Sequence, residues 1–220
     1  MENLLIRETN HKELVEVNYP KADTKIQDFQ KAYPGALMTL NSKTMVVVLH
    51  TTEGTGWPDY NGGFSAPTYT GMPPLGLRKG FWRAHFPDNR SARALVNKSG
   101  GVETNTLNVV QIELIGTCDP KHRKSWDGQG KRIAGKDYVY WPDATKKQLR
   151  WLCRILAWFN KKYGFELVAP KKFEAYPGSY GLTKNRLTYE AWRKTVGVVG
   201  HQHVQRTLMV ILVTLTLITF

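Results

Sequence analysis

Apolar residues cluster in two stretches that lack the polar alternation of a half-exposed strand. They are residues 44–50 (TMVVVLH) and 109–116 (VVQIELIG). Such runs are typical of strands buried on both faces, at the centre of an α/β sheet. The pattern predicts two further strands at 81–86 and 92–96, separated by a turn-prone segment, and a short strand at 196–201 (VGVVGH).

Apolar residues recur at helical spacing between residues 143 and 163. The apolar positions are Leu149, Leu152, Ile155, Leu156 and Phe159, and the opposite face carries Lys146, Lys147, Arg150, Arg154 and Lys161. We expect Pro142-Asp143 to cap this helix and Gly164 to end it, and we expect a second helix at 187–195. The predicted fold class is therefore α/β, with a mixed central β-sheet flanked by helices.

Glycine, proline and tyrosine concentrate between residues 54 and 80, which predicts a long loop, and residues 117–137 predict another. We expect Trp57, Tyr60 and Tyr69 in the first loop to line a substrate groove. The predicted organisation is an N-terminal extension at 1–35, a main folded domain at 36–204, which the resemblance described below makes the catalytic domain, and an apolar tail at 205–220.

The chain is basic: its 220 residues include 31 Lys and Arg against 18 Asp and Glu, a net charge of +13. This charge favours an anionic partner, either a nucleic acid or a Gram-positive cell wall. Because no nucleic-acid-binding signature is present, a nucleic-acid-binding protein is the weakest interpretation. Cys118 and Cys153 are too few for a disulfide framework.

The chain ends do not predict membrane insertion or secretion. The N-terminus mixes both charge signs and lacks the apolar core of a secretory signal, so we expect the protein to start in a cytoplasm. The uncharged residues 207–220 would span about 21 Å as a helix, against about 30 Å of hydrocarbon, so we expect no stable membrane span. We expect a monomer.

Two histidines close predicted apolar strands, His50 and His201. Catalytic zinc takes three protein ligands and a water, and imidazoles at strand ends suit such a site. Glu113 lies in the middle of a buried strand, where it could act as a general base or as a structural carboxylate paired to Arg or Lys. The histidines could equally be ordinary strand ends. His203 could be a supporting or a surface residue, and His11, His85 and His122 are not expected to bind metal.

Four motifs in order carry a resemblance to a known family. They are VVVLHTTEG (46–54), ALVNKSGG (94–101), TLNVVQIELIG (106–116) and GHQHV (200–204). Together they resemble the zinc-dependent N-acetylmuramoyl-L-alanine amidases of the type 2 amidase and peptidoglycan-recognition-protein family, particularly endolysins of phages that infect Gram-positive actinobacteria. The resemblance covers about residues 36–204.

The resemblance implies a zinc cleft at the strand ends of the sheet. His50 and His201 would be Zn²⁺ ligands, and Glu113 would be the catalytic carboxylate. The implied reaction is hydrolysis of the amide between the lactyl group of N-acetylmuramic acid and L-alanine. The implied partners are peptidoglycan and anionic wall polymers, met when the protein leaves the host cytoplasm at lysis.

The C-terminus departs from the family's pattern. The family's third ligand is an aspartate ten residues after the second histidine, and the residue two before it assists catalysis; here these positions hold Ile211 and Met209. We hypothesise that one base was lost after the Val204 codon, since the restored frame forces a glycine at Val210 and permits HGDPG over 209–213. A genuine apolar tail is the alternative. The missing ligand favours a second interpretation of the function, a non-catalytic peptidoglycan-binding module.

Overall fold

The protein has a mixed α/β fold with a six-stranded central sheet. A computed structural model describes residues 18–24, 29–95, 105, 108–123, 138–179 and 183–204. In chain order the strands and helices are β1 (Ala22–Asp23), α1 (Phe29–Ala32), β2 (Val46–Thr51), β3 (Tyr69–Met72), β4 (Phe81–Ala84), β5 (Val109–Leu114), α2 (Lys146–Tyr163), α3 (Tyr189–Lys194) and β6 (Gly197–Gly200). Short 3₁₀ turns lie at Pro120–His122, Trp141–Asp143 and His201–His203. Among the described residues, no helix combines the length and the apolar character needed to cross a bilayer.

The strand order is β1-β4-β3-β5-β2-β6. Strands β6, β2, β5 and β3 run parallel to one another, β4 is antiparallel to β3, and β1 is parallel to β4. The prediction of a mixed sheet is therefore confirmed. Edge strand β1 belongs to the segment assigned to the N-terminal extension, so part of that segment joins the sheet.

One face of the sheet packs against α2. Val47 and Leu49 of β2 and Ile112 of β5 lie in this core with no exposed surface, together with Ile155 and Phe159 of the helix. The helix is amphipathic because its apolar positions recur every three or four residues. Burial of this apolar face against the sheet is the main source of its stability.

The opposite face of the sheet carries apolar side chains at one end of the strands and polar side chains at the other. Near the strand starts, Val48, Val109 and Val199 form a second apolar cluster with Trp192 of α3. Toward the carboxyl ends of the strands the side chains on this face become polar. The register pairs His50 with Glu113, Glu113 with Thr70, and Thr70 with Arg83. Directly paired residues share a face, so these side chains form one polar row across four strands.

Two of the predicted elements differ from the structure. Residues 54–80 do not form one continuous loop, because Tyr69–Met72 makes strand β3 in the interior of the sheet. Residues 92–95 form no strand, and Val96 lies outside the described residues. The backbone of Leu95 instead bonds to the side chain of Asn105, at 3.1 Å through its N–H and 2.7 Å through its carbonyl.

The main helix starts later than predicted. Pro142 and Asp143 lie in a 3₁₀ turn, and Thr145 caps α2 in a capping box with Gln148. Each side chain of this box bonds to the backbone at the other residue, which satisfies two N–H groups that the helix itself cannot. Gly164 ends the helix with a φ of 67°, as expected for a left-handed cap. The second helix and the last strand were predicted at nearly their observed positions.

Candidate active site

His50 and His201 come together at the carboxyl ends of two neighbouring strands. His50 is in β2, and His201 follows β6, whose last residue pairs with Leu49. Their Nδ1 atoms are 3.0 Å apart, and the two rings meet edge to face with centroids 4.9 Å apart. Both side chains are almost completely buried. Two residues separated by 151 positions in the chain therefore present ring nitrogens to one point.

The tautomer of His50 is set by Gln111, which lies two residues before Glu113 on the same face of β5. The Nε2 atom of His50 is 2.7 Å from Oε1 of Gln111. An amide oxygen only accepts, so Nε2 carries the hydrogen and Nδ1 keeps its lone pair toward His201. Burial lowers the pKa of His50 to about 4. The ring is therefore neutral at neutral pH, the state that a metal ligand needs.

The histidine pair fits two of the ligand positions of a tetrahedral zinc ion. Zinc–nitrogen bonds of 2.0–2.1 Å place two ligand nitrogens about 3.3 Å apart. The observed separation is 3.0 Å. Within the described residues, no three His, Cys, Asp or Glu side chains assemble into a metal-binding group. Ile211 and Met209, at the positions that the resemblance assigns to the third ligand and to the residue that assists catalysis, lie outside those residues.

Glu113 lies beside the histidine pair, one strand away. Its Oε1 atom is 3.9 Å from Nδ1 of His50. Its Oε2 atom is buried and has no hydrogen-bond partner in the part of the chain that the structure describes. Burial, and next the charge of Glu53, raise the pKa of Glu113 well above its usual range. No Arg or Lys among the described residues pairs with this carboxyl, which is not the environment of a structural ion pair.

Glu53, a residue not predicted from the sequence, ties together the loops that follow β2 and β5. Its carboxylate accepts hydrogen bonds from the Thr51 hydroxyl at 2.7 Å, from the Cys118 N–H at 3.0 Å and from the Thr117 hydroxyl. Glu53 itself has a positive φ of 46°. The carboxylate thus holds the rim of the site in place by direct bonds to both loops.

A second polar chain lies on the other side of Glu113. The Thr70 hydroxyl is 2.7 Å from the Tyr60 hydroxyl and 2.7 Å from Nε2 of His85. His85 stacks on Phe29, with ring centroids 5.0 Å apart. Burial, and then the charge of Arg83, lower the pKa of His85 to about 3. A neutral histidine, a hydroxyl and a phenol therefore border Glu113 on the side away from His50.

The three aromatic residues predicted to line a groove have different positions. Tyr60 reaches the polar row through Thr70. The ring of Trp57 is half-buried under the Arg83 guanidinium, with 3.9 Å between the guanidinium carbon and the ring centre. Tyr69 does not line a groove. It is completely buried on the α2 side of the sheet, and its hydroxyl bonds to Asp88, because residue 69 points to the face opposite Thr70.

His203 is a buried structural residue. Its side chain lies 3.2 Å from the N–H of Gly200 through Nδ1 and 3.0 Å from the carbonyl of Lys172 through Nε2. These contacts hold the turn that carries His201. Of the other histidines, His122 lies in the 3₁₀ turn Pro120–His122, and His11 lies outside the described residues.

Three residues of the site were missed by reasoning from the sequence, namely Gln111, Thr70 and Glu53. The position of Gln111 could have been predicted, since it is two residues before Glu113 in the same strand and so shares its face. The positions of Thr70 and Glu53 could not have been predicted, because they depend on strand register and on loop conformation. In comparisons with known proteins, no family model, no curated protein and no solved structure matches this chain.

Proposed function

We propose that this protein is a zinc-dependent peptidoglycan hydrolase that cleaves the amide between N-acetylmuramic acid and L-alanine. One observation carries the proposal: the Nδ1 atoms of His50 and His201 converge at 3.0 Å, with the Glu113 carboxyl 3.9 Å from the first of them. Convergent neutral imidazoles beside a buried carboxyl are the parts that metal-assisted hydrolysis of an amide requires.

Each residue has a role that follows from its position. His50 and His201 would hold the metal, and Gln111 would keep His50 in the tautomer that ligates. Zinc, when bound, polarises a carbonyl and lowers the pKa of a water molecule. Glu113 would accept the proton of the attacking water and return it to the leaving amine, as a general base and then a general acid. Its Oε2 atom, buried and without a partner among the described residues, is available for that proton.

The substrate class rests on two features of the sequence. The motifs around His50, Glu113 and His201 resemble those of muramoyl-alanine amidases. The net charge of +13 suits an anionic cell wall. The resemblance, which is to phage endolysins in particular, supports a role in wall lysis. We therefore propose peptidoglycan as the substrate, rather than a soluble peptide.

A non-catalytic peptidoglycan-binding module is the second candidate. It is favoured by the sequence, because Ile211 stands where the family that the motifs resemble has an aspartate as its third zinc ligand. Such a protein would use the same cleft to bind a muropeptide without hydrolysing it.

Digestion of purified cell walls tests both candidates. At zinc concentrations that fill the weak two-histidine site, we expect the wild-type chain to expose new L-alanine amino groups, and we expect EDTA in excess of the zinc to abolish this release. The Glu113→Gln variant is the sharpest comparison, because it removes the proton acceptor while both histidines stay. It should bind as much zinc as wild type, measured by metal analysis, and release no L-alanine ends. His50→Ala should lose the zinc as well.

The outcomes separate the candidates. Release that survives EDTA and Glu113→Gln would contradict a metal-dependent mechanism at this site. Co-sedimentation with walls without any release would favour the binding module. Absence of both binding and release would contradict peptidoglycan as the ligand.

A further inference from the structure

The outward face of α2 carries a row of positive charges and no negative one. We call Lys146, Lys147, Arg150, Arg154 and Lys161 the basic stripe; all of them are exposed. At 100° per residue they fall within an arc of about 100° along the helix surface. The helix Lys146–Tyr163 contains no Asp or Glu. The stripe therefore presents a single sign of charge over a length of about 23 Å.

No acidic side chain in the described part of the protein neutralises the stripe. None of its members takes part in an ion pair there, whereas the neighbouring Lys162 pairs with buried Asp88 at 3.4 Å. Lys147 donates instead to the backbone carbonyl of Gly76, at 3.3 Å. That contact places the exposed residues Arg78 and Lys79 near the start of the stripe and extends the positive surface.

The stripe is not explained by the stability of the helix. Lys146 and Arg150, and again Arg150 and Arg154, are like charges four residues apart, a spacing that destabilises a helix by about 0.2–0.5 kcal/mol per pair. Lys146 and Lys147 also lie in the first turn, where the helix dipole favours acidic residues. Acidic residues at the first two positions would stabilise the fold better, which indicates that the charge serves an external partner.

The stripe and the candidate active site lie on opposite sides of the sheet. The helix covers the face that carries Leu49 and Ile112, whereas His50 and Glu113 point to the other face. A polymer bound along α2 would therefore leave the site open. Attachment through one side and catalysis through the other can proceed at the same time.

We propose that the basic stripe binds a polyol-phosphate chain of the bacterial cell wall. Lys146, Arg150 and Arg154 follow one another at about 6 Å along the axis, and Lys161 lies about 10 Å beyond Arg154, so a flexible chain can place a phosphate at each of these charges. No large apolar side chain of α2 is exposed to stack on bases, which disfavours single-stranded nucleic acid. The choice of a wall polymer rests on the proposed function, but the binding can be measured without any hydrolysis.

The test compares two triple variants of the full chain with the same net charge. One neutralises the stripe, Lys146→Gln, Arg150→Gln and Arg154→Gln. The matched control neutralises exposed basic residues elsewhere, Lys43→Gln, Lys184→Gln and Arg193→Gln. Binding of soluble poly(glycerol phosphate) is measured by calorimetry over a series of NaCl concentrations, with duplex DNA of equal phosphate content as competitor. Circular dichroism checks that both variants are folded, and we expect the stripe variant to melt no lower than wild type.

We expect the stripe variant to bind about tenfold more weakly at 100 mM salt, with a salt-dependence slope smaller by about 2, while the control changes by less than about threefold. Equal losses in the two variants would overturn the proposal, because net charge alone would then explain binding. Tighter binding of duplex DNA at the stripe would overturn it in favour of a nucleic-acid surface. Loss of wall hydrolysis in Glu113→Gln with intact polymer binding would leave this proposal standing, since the two sites are separate.

Discussion

At the scale of single residues, the site depends on the orientation of one imidazole. His50 has two ring nitrogens, and only one can carry the hydrogen when the ring is neutral. The bond from Nε2 to Gln111, 2.7 Å long, assigns the hydrogen to that nitrogen and leaves Nδ1 directed at His201. Gln111 thus decides whether the two histidines can share a metal.

Replacing Gln111 by Leu should release this constraint. Loss of an outer partner of a ligating histidine costs about 10–100-fold in metal affinity. We expect a loss of this size in Gln111→Leu, measured by competition with a chelator, while Gln111→Glu, which keeps an acceptor, stays near wild type. Nitrogen NMR of the metal-free protein should show the Nε2–H tautomer in wild type and a mixture of tautomers in Gln111→Leu. An unchanged NMR spectrum would contradict the assigned role.

His85 makes stability depend on pH through its burial. Its pKa is lowered to about 3 in the folded protein, against 6.5 when exposed. Above pH 6.5 both states are neutral, but below it the unfolded chain binds a proton that the folded protein excludes. Stability is therefore lost as the pH falls, by about 1.4 kcal/mol per unit for this group. The charged and titratable groups that face His85 are Arg83, with its positive guanidinium, and Tyr60, whose burial raises its pKa well above the usual value.

The comparison with His85→Gln isolates this contribution. Urea unfolding at pH 7.5 and 5.5 should show that wild type loses about 1.4 kcal/mol more than the variant over this interval. Any difference in stability at pH 7.5 cancels in this comparison. Equal losses in the two proteins would show that His85 is accessible to protons in the folded state.

At the scale of elements, β3 shows why a strand can escape prediction from the sequence. Its four residues, Tyr69–Met72, lie in a stretch rich in glycine and proline, and one of them is itself glycine. The structure supplies the reason: a Cβ on Gly71 would lie 2.4 Å from the Trp82 ring and 2.6 Å from that of Trp151. Those two rings stack at 4.1 Å between the sheet and α2. The glycine that obscures the strand is required by the packing.

Gly71→Ala should therefore destabilise the protein by overpacking. We expect a loss of about 1–3 kcal/mol in the free energy of unfolding, measured with urea and followed by tryptophan fluorescence. Gly56→Ala is the matched control, because a Cβ there meets nothing within 4 Å. A cost at Gly56 as large as that at Gly71 would contradict the packing explanation.

The sequence alone could predict those parts of the site that depend only on strand order. Parallel strands end at one edge of a sheet, so two histidines closing β2 and β6 could be expected to approach each other. The position of Glu113 beside His50 was a weaker inference, because it depends on the register between β2 and β5. The Thr70–His85 contact also needs the pairing of β3, which the pattern did not reveal. The capping of α2 by Thr145 was missed because proline and aspartate one turn earlier form an equally plausible start.

At the scale of the whole molecule, the sheet separates the two proposed sites, whose requirements would conflict on one surface. The proposed metal site requires unprotonated histidines and a buried carboxyl, whereas the proposed wall attachment requires exposed positive charge. The positive charges of α2 lie behind the sheet from His50 and Glu113. This arrangement keeps the charges of the basic stripe, which would repel a metal cation, on the side of the sheet away from the proposed site.

The proposed metal site has two histidine ligands, and a third ligand would complete it. Two histidines hold zinc weakly, and the described residues supply no third ligand. We call a chain whose residues 209–213 are changed to the frame-restored HGDPG the restored chain. We expect the wild-type chain to bind zinc with a dissociation constant at least about a hundredfold above that of the restored chain. Because an aspartate is already ionised at pH 6 and the histidines are common to both chains, the gain should be about the same at pH 6 and pH 8.

Isothermal titration with zinc measures both the gain and its dependence on pH. The control for the carboxylate is a second restored chain that carries Ile211→Asn instead of Ile211→Asp, since an amide of the same shape lacks the negative charge that a zinc ligand supplies. Equal affinity in the wild-type and restored chains would show that position 211 is not a ligand. The third donor would then have to come from another part of the protein.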